Sequence, residues 1–200
     1  MFCRKQIVLI PALGLILFCC RRPQETPKTE FTRLDSVTHL YLEYKDSLMD
    51  AWNRMMHEDN RRIGALKNLI HELDQSGSAA DPQLLQSLAF RTDQLLRIRF
   101  TPKTIANYDV VEEYDFAVNS VVTELITLAE TSLIYSSSPV MQKLVAEIQE
   151  SDRKVAEYRH RYDVIASHYN HFLDQYKDLL HEIDKGASGD RRPLFQLAEE

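Results

Sequence analysis

Apolar residues recur along the chain at alternating steps of three and four. The first run is Leu34, Val37, Tyr41, Tyr44, Leu48, Trp52 and Met55, followed after a polar stretch by Ile63, Leu66, Ile70 and Leu73. This spacing lines one side of a helix and predicts an amphipathic rod of about forty residues, roughly 60 Å long. It stops at "QSGSAAD", where Gly77 suits the left-handed position that ends a helix. Asp81-Pro82 then reads as an N-cap followed by a first-turn proline. Leu84, Leu85, Leu88, Leu95 and Leu96 form the next face until "RFTPKT" breaks it. The 81–99 piece is either a separate, shorter helix or part of a broken longer one. A third run carries Tyr108, Val111, Tyr114, Val118, Val121, Leu125 and Leu128. After "YSSSPV" the longest one follows, with Leu144, Ile148, Val155, Tyr158, Tyr162, Ile165, Tyr169, Phe172, Tyr176, Leu179 and Ile183 at heptad-like spacing. Lys185-Gly186 supplies a basic last turn and a stop.

The expected fold is therefore all-α: an elongated, antiparallel up-and-down bundle of three long helices plus one shorter helix. The expected domain covers 34–185, with a flexible tail at 186–200 in which Leu194, Phe195 and Leu197 can dock back. Composition agrees with long helices. Only 5 Gly and 7 Pro occur in 200 residues, and the prolines stand at ends and junctions. The net charge of −6 disfavours nucleic-acid binding, which rests on neutralising phosphates with Lys and Arg.

The N-terminus has a different pattern. Arg4 and Lys5 precede an uncharged run, Ile7–Cys20, that is too short for a membrane-spanning helix and contains Pro11. A basic head, a short apolar core and a processing site outline a secretory signal over residues 1–19. Leu17-Phe18-Cys19-Cys20 resembles a lipobox, so Cys20 is the expected lipidation site, taking an acyl lipid such as palmitate and becoming the mature N-terminus. Loss of residues 1–19 removes Arg4 and Lys5 and leaves a charge of −8. The alternative is an uncleaved anchor flanked by charge, since Arg21 and Arg22 follow at once. Residues 20–33 read as a polar, proline-punctuated tether. All three cysteines, Cys3, Cys19 and Cys20, lie in this leader, so the domain has no disulfide framework and no thiolate site.

Chemistry-bearing motifs in the body are sparse. Glu157-x-x-His160 and Asp178-x-x-His181 have the spacing found in di-iron bundles, but both fall in the last predicted helix and off its tyrosine stripe, which points to a solvated face. His168 and His171 lie one turn apart with His160 on nearly the same edge. That edge is the candidate for a pH-responsive or metal-sensing patch, against the plain reading of surface histidines. His71-Glu72 and His181-Glu182 lack the second histidine of a zinc-protease helix. There is no glycine-rich phosphate loop. The stretch "HEDNRR" (His57–Arg62) interrupts the first apolar stripe. It reads as an exposed segment with pairing such as Glu58–Arg62, or else as an exposed interaction patch.

Two segments carry a family resemblance. "AWNRMMHEDNRRIGALKNLIHEL" (Ala51–Leu73) has Trp52, the paired Arg61-Arg62 and the Leu66–Ile70 step. "LVAEIQESDRKVAEYRHRYDVIASHYNHFL" (Leu144–Leu173) has Tyr162-Asp163 and, one heptad on, Tyr169-Asn170. Together with the tail "RPLFQLAEE" they resemble the LemA family, with Asp163 standing where the family carries Asn. The resemblance implies a membrane-tethered, elongated helical bundle with no assigned catalytic residues. In the physical reading the tyrosine stripe is core, its hydroxyls needing partners that Asn170 or a neighbouring helix could supply. The expected function is a non-enzymatic, lipid-anchored scaffold or adaptor of the bacterial cell envelope. No cofactor, metal or nucleic acid is expected, and the partners are the membrane and envelope proteins. The alternative is a bundle that senses a small ligand or metal.

Overall fold

The computed structural model describes residues 32–77, 81–184 and 191–195, all within one compact unit, Thr32–Glu200. It is all-helical, with no strand among the described residues. The helices are α1 (Arg33–Gln75), α2 (Pro82–Ile98), α3 (Tyr108–Thr131), α4 (Pro139–Gln175) and α5 (Lys177–Ile183), with 3-10 turns at Thr104–Ala106 and Tyr135–Ser137. None of the described helices is long and apolar enough to cross a membrane. Residues 1–31, which include Cys20 and most of the expected tether, lie outside the described residues, as do Gly186 and Leu197.

Local chemistry sets the boundaries. Thr32 opens α1 one residue earlier than the apolar pattern implies, because Thr32 and Asp35 form a reciprocal capping box. Gly77 ends it with φ of +58°, a conformation any side chain would strain. Asp81 Oδ1 accepts from the Gln83 amide and Pro82 occupies the first turn, so α2 is a helix of its own. Asn107 and Ser138 cap α3 and α4 in the same way.

Two expectations are corrected here. The last helix does not run unbroken to Ile183. Tyr176 leaves helical geometry (φ −116°, ψ 23°), and α5 starts after it. The turn lets Tyr176 lie 5.0 Å from Phe172 and sinks Leu180 completely. On α2, Leu96 is exposed and Thr92 takes a buried place, its hydroxyl satisfied by the Leu88 carbonyl at 2.7 Å.

α1 and α4 are antiparallel, since positions rise along one as their partners fall along the other. Tyr41 meets Tyr169, Tyr44 meets Phe172, Trp52 meets Tyr162, and Arg62 meets Asp152. Likewise Lys67 of α1 pairs with Asp93 of α2, and Arg91 of α2 bonds Ser120 and Glu124 of α3. Within α1, a methyl group added at Gly64 would meet nothing within 4 Å. Gly64→Ala is therefore expected to stabilise the protein by about 0.5–1 kcal/mol through a less flexible unfolded chain and better helix propensity. A rise in the midpoint of denaturant unfolding is the check.

Candidate functional site

Where the apolar stripe of α1 weakens, one side of the helix is buried: Asp59 and Arg62 are 1% and 3% exposed and Glu58 is buried beside them, while His57 and Asn60 face solvent. For Glu58, Asp59 and Arg62 this overturns both sequence readings of the segment, the solvated face and the surface patch. The pairing also differs, running at i,i+3: Arg61 to Glu58 and Arg62 to Asp59.

Asp59 is the hub of a buried cluster. Arg62 Nη2 donates to its Oδ1 at 2.5 Å, and Tyr114 Oη of α3 lies 2.7 Å from each carboxylate oxygen. Arg99, just past α2, places Nε 2.8 Å from Oδ2, close enough for an ion pair though its N–H is not aligned for a hydrogen bond. Arg62 Nη1 also bonds Asp152 of α4, and Arg99 Nη1 donates to Asn60 Oδ1 at 2.9 Å. Two carboxylates thus face two guanidinium groups, so the cluster is charge-balanced, as burial of ions requires. A second balanced set surrounds it: Glu58 and Glu147 with Arg61 and Lys154. Burial works against the Arg62 charge, but Asp59, Tyr114 and Asp152 outweigh it and its pKa is raised. Burial, then the neighbouring Asp59 charge, drives the Tyr114 hydroxyl far above its ordinary value, so it remains a proton donor.

An aromatic socket adjoins the cluster. Phe100 stands edge-on to Tyr114 at 5.1 Å and joins the two. The socket walls are Trp52 of α1, Phe100 and Tyr162 of α4, and its occupant is Phe195 from the C-terminal tail, at 6.2, 5.2 and 5.7 Å between centroids. The Arg159 guanidinium lies 5.0 Å from the Phe100 ring and 5.1 Å from Phe195, held there by a bidentate pair with Asp115 of α3 at 2.6 and 2.7 Å. Two α4 side chains grip the tail backbone. The Phe195 amide donates to Asp163 Oδ1, and Asn170 both accepts from the Arg192 amide and donates to its carbonyl, all at 2.8 Å. Of the tail residues expected to dock, Phe195 is buried and Leu194 half-buried.

Compared with protein-family models, curated proteins and solved structures, the chain matches nothing. The site is therefore read from its own geometry.

Of the two expected sources of partners for the tyrosine hydroxyls, the neighbouring helix supplies one and Asn170 does not. Asn170 serves the tail and no tyrosine hydroxyl; Tyr114 uses Asp59, and Tyr41 Oη reaches Asp184 at 3.5 Å. Tyr162 Oη is buried with no hydrogen-bond partner among the described residues, and burial pushes that hydroxyl up to about 12. Tyr169 is also pushed up to about 12, by burial and then by Tyr41.

The other sequence candidates stay apart from this site. His160, His168 and His171 are exposed on α4, with His168 opposite Leu40, Glu43 and Tyr44 of α1. Glu157-x-x-His160 and Asp178-x-x-His181 are exposed and stand on α4 and α5 respectively, not on one helix. Among the described residues no group of three or more His, Cys, Asp or Glu is placed to hold a metal ion. Asp59, Arg99, Phe100, Tyr114 and Arg159 were not singled out as site residues from the sequence. For Asp59 and Arg62 a signal was present: from Met55 to Leu66 they continue the four- and three-residue steps of the apolar stripe, so charges occupy core positions.

Proposed function

We propose that the chain is a lipid-anchored, non-enzymatic scaffold or adaptor of the bacterial cell envelope, its helices forming an elongated up-and-down bundle tethered through Cys20. The observation that carries this reading is the interior of the domain. Its buried charges pair with one another, Arg62 with Asp59 inside α1 and with Asp152 of α4, while Tyr114 of α3 and Arg99 also meet Asp59, which braces α1 against its neighbours. The antiparallel α1–α4 pair supports the same reading, with α1 alone running about 64 Å over its 43 residues. The LemA resemblance of 51–73 and 144–173 agrees with it, and so does the signal-like leader. A second reading, binding of a small ligand, is favoured by the cleft beside Trp52, not by the His168/His171 edge.

Intact mass of the membrane-extracted protein tests the anchor. The expected product begins at Cys20, lacks residues 1–19 and carries diacylglycerol and an acyl chain, all of which disappear in Cys20→Ala. An unmodified chain beginning at Met1 overturns the lipoprotein reading and makes the leader an uncleaved anchor.

A further inference from the structure

Asp163 and Asn170 stand a heptad apart on α4, about 10.5 Å along its axis. The tail residues they hold, Phe195 and Arg192, stand three apart, and three extended residues also cover about 10 Å. The two lengths agree, so α4 is a ruler for an extended chain running antiparallel to it. Arg191 continues the register by pairing with Asp174, one helical turn beyond Asn170.

Much of what this track reads is backbone. Asn170 takes both the N–H and the carbonyl of residue 192, and Asp163 takes the N–H of residue 195. Any amino acid but proline can offer these groups. Pro193, which has no N–H to give, falls between the gripped positions and holds the chain extended. Side-chain chemistry is read at the two ends: a cation at 191 and an aromatic ring at 195. The ion pair is exposed and the ring is buried, so the ring carries more of the affinity.

We propose that this track is a peptide-recognition site for an extended segment of a partner protein that carries a cation four residues before an aromatic ring. The chain's own tail is the resident occupant, and the partner segment displaces it. Residues 185–190 join α5 to the tail, a connection short enough to hold it at about millimolar effective concentration. A docked state preferred about a hundredfold then corresponds to a Kd of about 10 µM for the same segment added to an emptied track. A second copy's tail must leave its own track before it can compete, a handicap that a partner segment lacks. The partner also has area to gain. Beside the socket the tail leaves a cleft of about 280 Å3, walled by Met49, Trp52 and Pro102, and Met49 is 59% exposed.

This inference rests on the adaptor reading for the kind of partner, but its test reads residues that lipidation does not touch. An unmodified Cys20 overturns the anchor and leaves the track standing; absence of peptide binding overturns the track alone.

The full chain carrying Phe195→Ala is titrated against the capped, fluorescein-labelled pentapeptide of positions 191–195, followed by anisotropy. Saturable binding near about 10 µM is expected, with the unaltered chain about a hundredfold weaker because its tail competes. A pentapeptide that shares only a first-place lysine, the proline and the final phenylalanine is expected to bind within about tenfold of the first. Alanine in place of that phenylalanine should weaken binding about a hundredfold, and adding Asn170→Ala to the chain about tenfold. Trp52 is the sole tryptophan, so a return of its emission to the blue ties the peptide to the socket. On the unaltered chain, millimolar peptide should move the Trp52 indole N–H resonance, a reading that does not depend on how well the variant folds. No binding in either chain, equal binding of the alanine peptide, or binding confined to the tail's own sequence overturns the proposal. A concentration-dependent dimer of the unaltered chain that Phe195→Ala abolishes also overturns it, assigning the track to a second copy's tail.

Discussion

Asp59→Ala is expected to destabilise the protein by about 3–5 kcal/mol, a large share of the roughly 5–15 kcal/mol that holds a domain of ordinary stability. Asp59 is 1% exposed and receives Arg62, Arg99 and Tyr114 at once. Its removal leaves two guanidinium groups in the interior with their shared counter-charge gone, and a buried phenol without an acceptor. Asp152→Ala provides the contrast. Asp152 also pairs with Arg62, but its side chain is 49% exposed, so water replaces it and the loss stays within about 1 kcal/mol. Denaturant unfolding followed by helical circular dichroism measures both. Similar midpoints for the two variants would mean that Asp59 is not the hub of the cluster.

Phe195→Ala is expected to cost about 2–3 kcal/mol and to shift Trp52 emission to the red. A phenylalanine removed from a closed core costs about 3–5 kcal/mol. Here the loss is smaller because the tail is a terminal segment: once Phe195 no longer anchors it, the segment leaves as a unit, and its docking free energy is the ceiling. The Trp52 ring then loses its stacked neighbour at 6.2 Å and gains water. Asn170→Ala releases the Arg192 backbone but leaves the aromatic contact, and should give a fraction of that effect. An unmoved Trp52 spectrum in Phe195→Ala would overturn the socket assignment.

Cluster and socket meet at Phe100, which touches Tyr114 on one side and Phe195 on the other. The tail, the 99–107 connection and three helices therefore converge on a small set of side chains around Trp52 and Asp59. Arg99 and Phe100 both lie in the 99–107 connection, and Asp163 of α4 accepts the Phe195 amide.

The sequence by itself determined the helices and most of their ends. Each depends on residues within a few positions: the apolar period of three and four, Asp81 before Pro82, Gly77 in the left-handed region, Thr32 with Asp35. It also held the phase of α1 through its polar stretch, because Asp59 and Arg62 fall on the same steps as Met55 and Leu66. The tertiary structure alone decided which side of the fold that phase faces at this point. A charge in a core position is buried only if opposite charges and donors arrive to meet it, and those come from afar: Tyr114 is 55 residues from Asp59, and Asp152 is 90 from Arg62. The break at Tyr176 and the seat of Phe195 were settled in the same way. Periodicity records which residues share a face, but which partner lies opposite is fixed only when the helices pack.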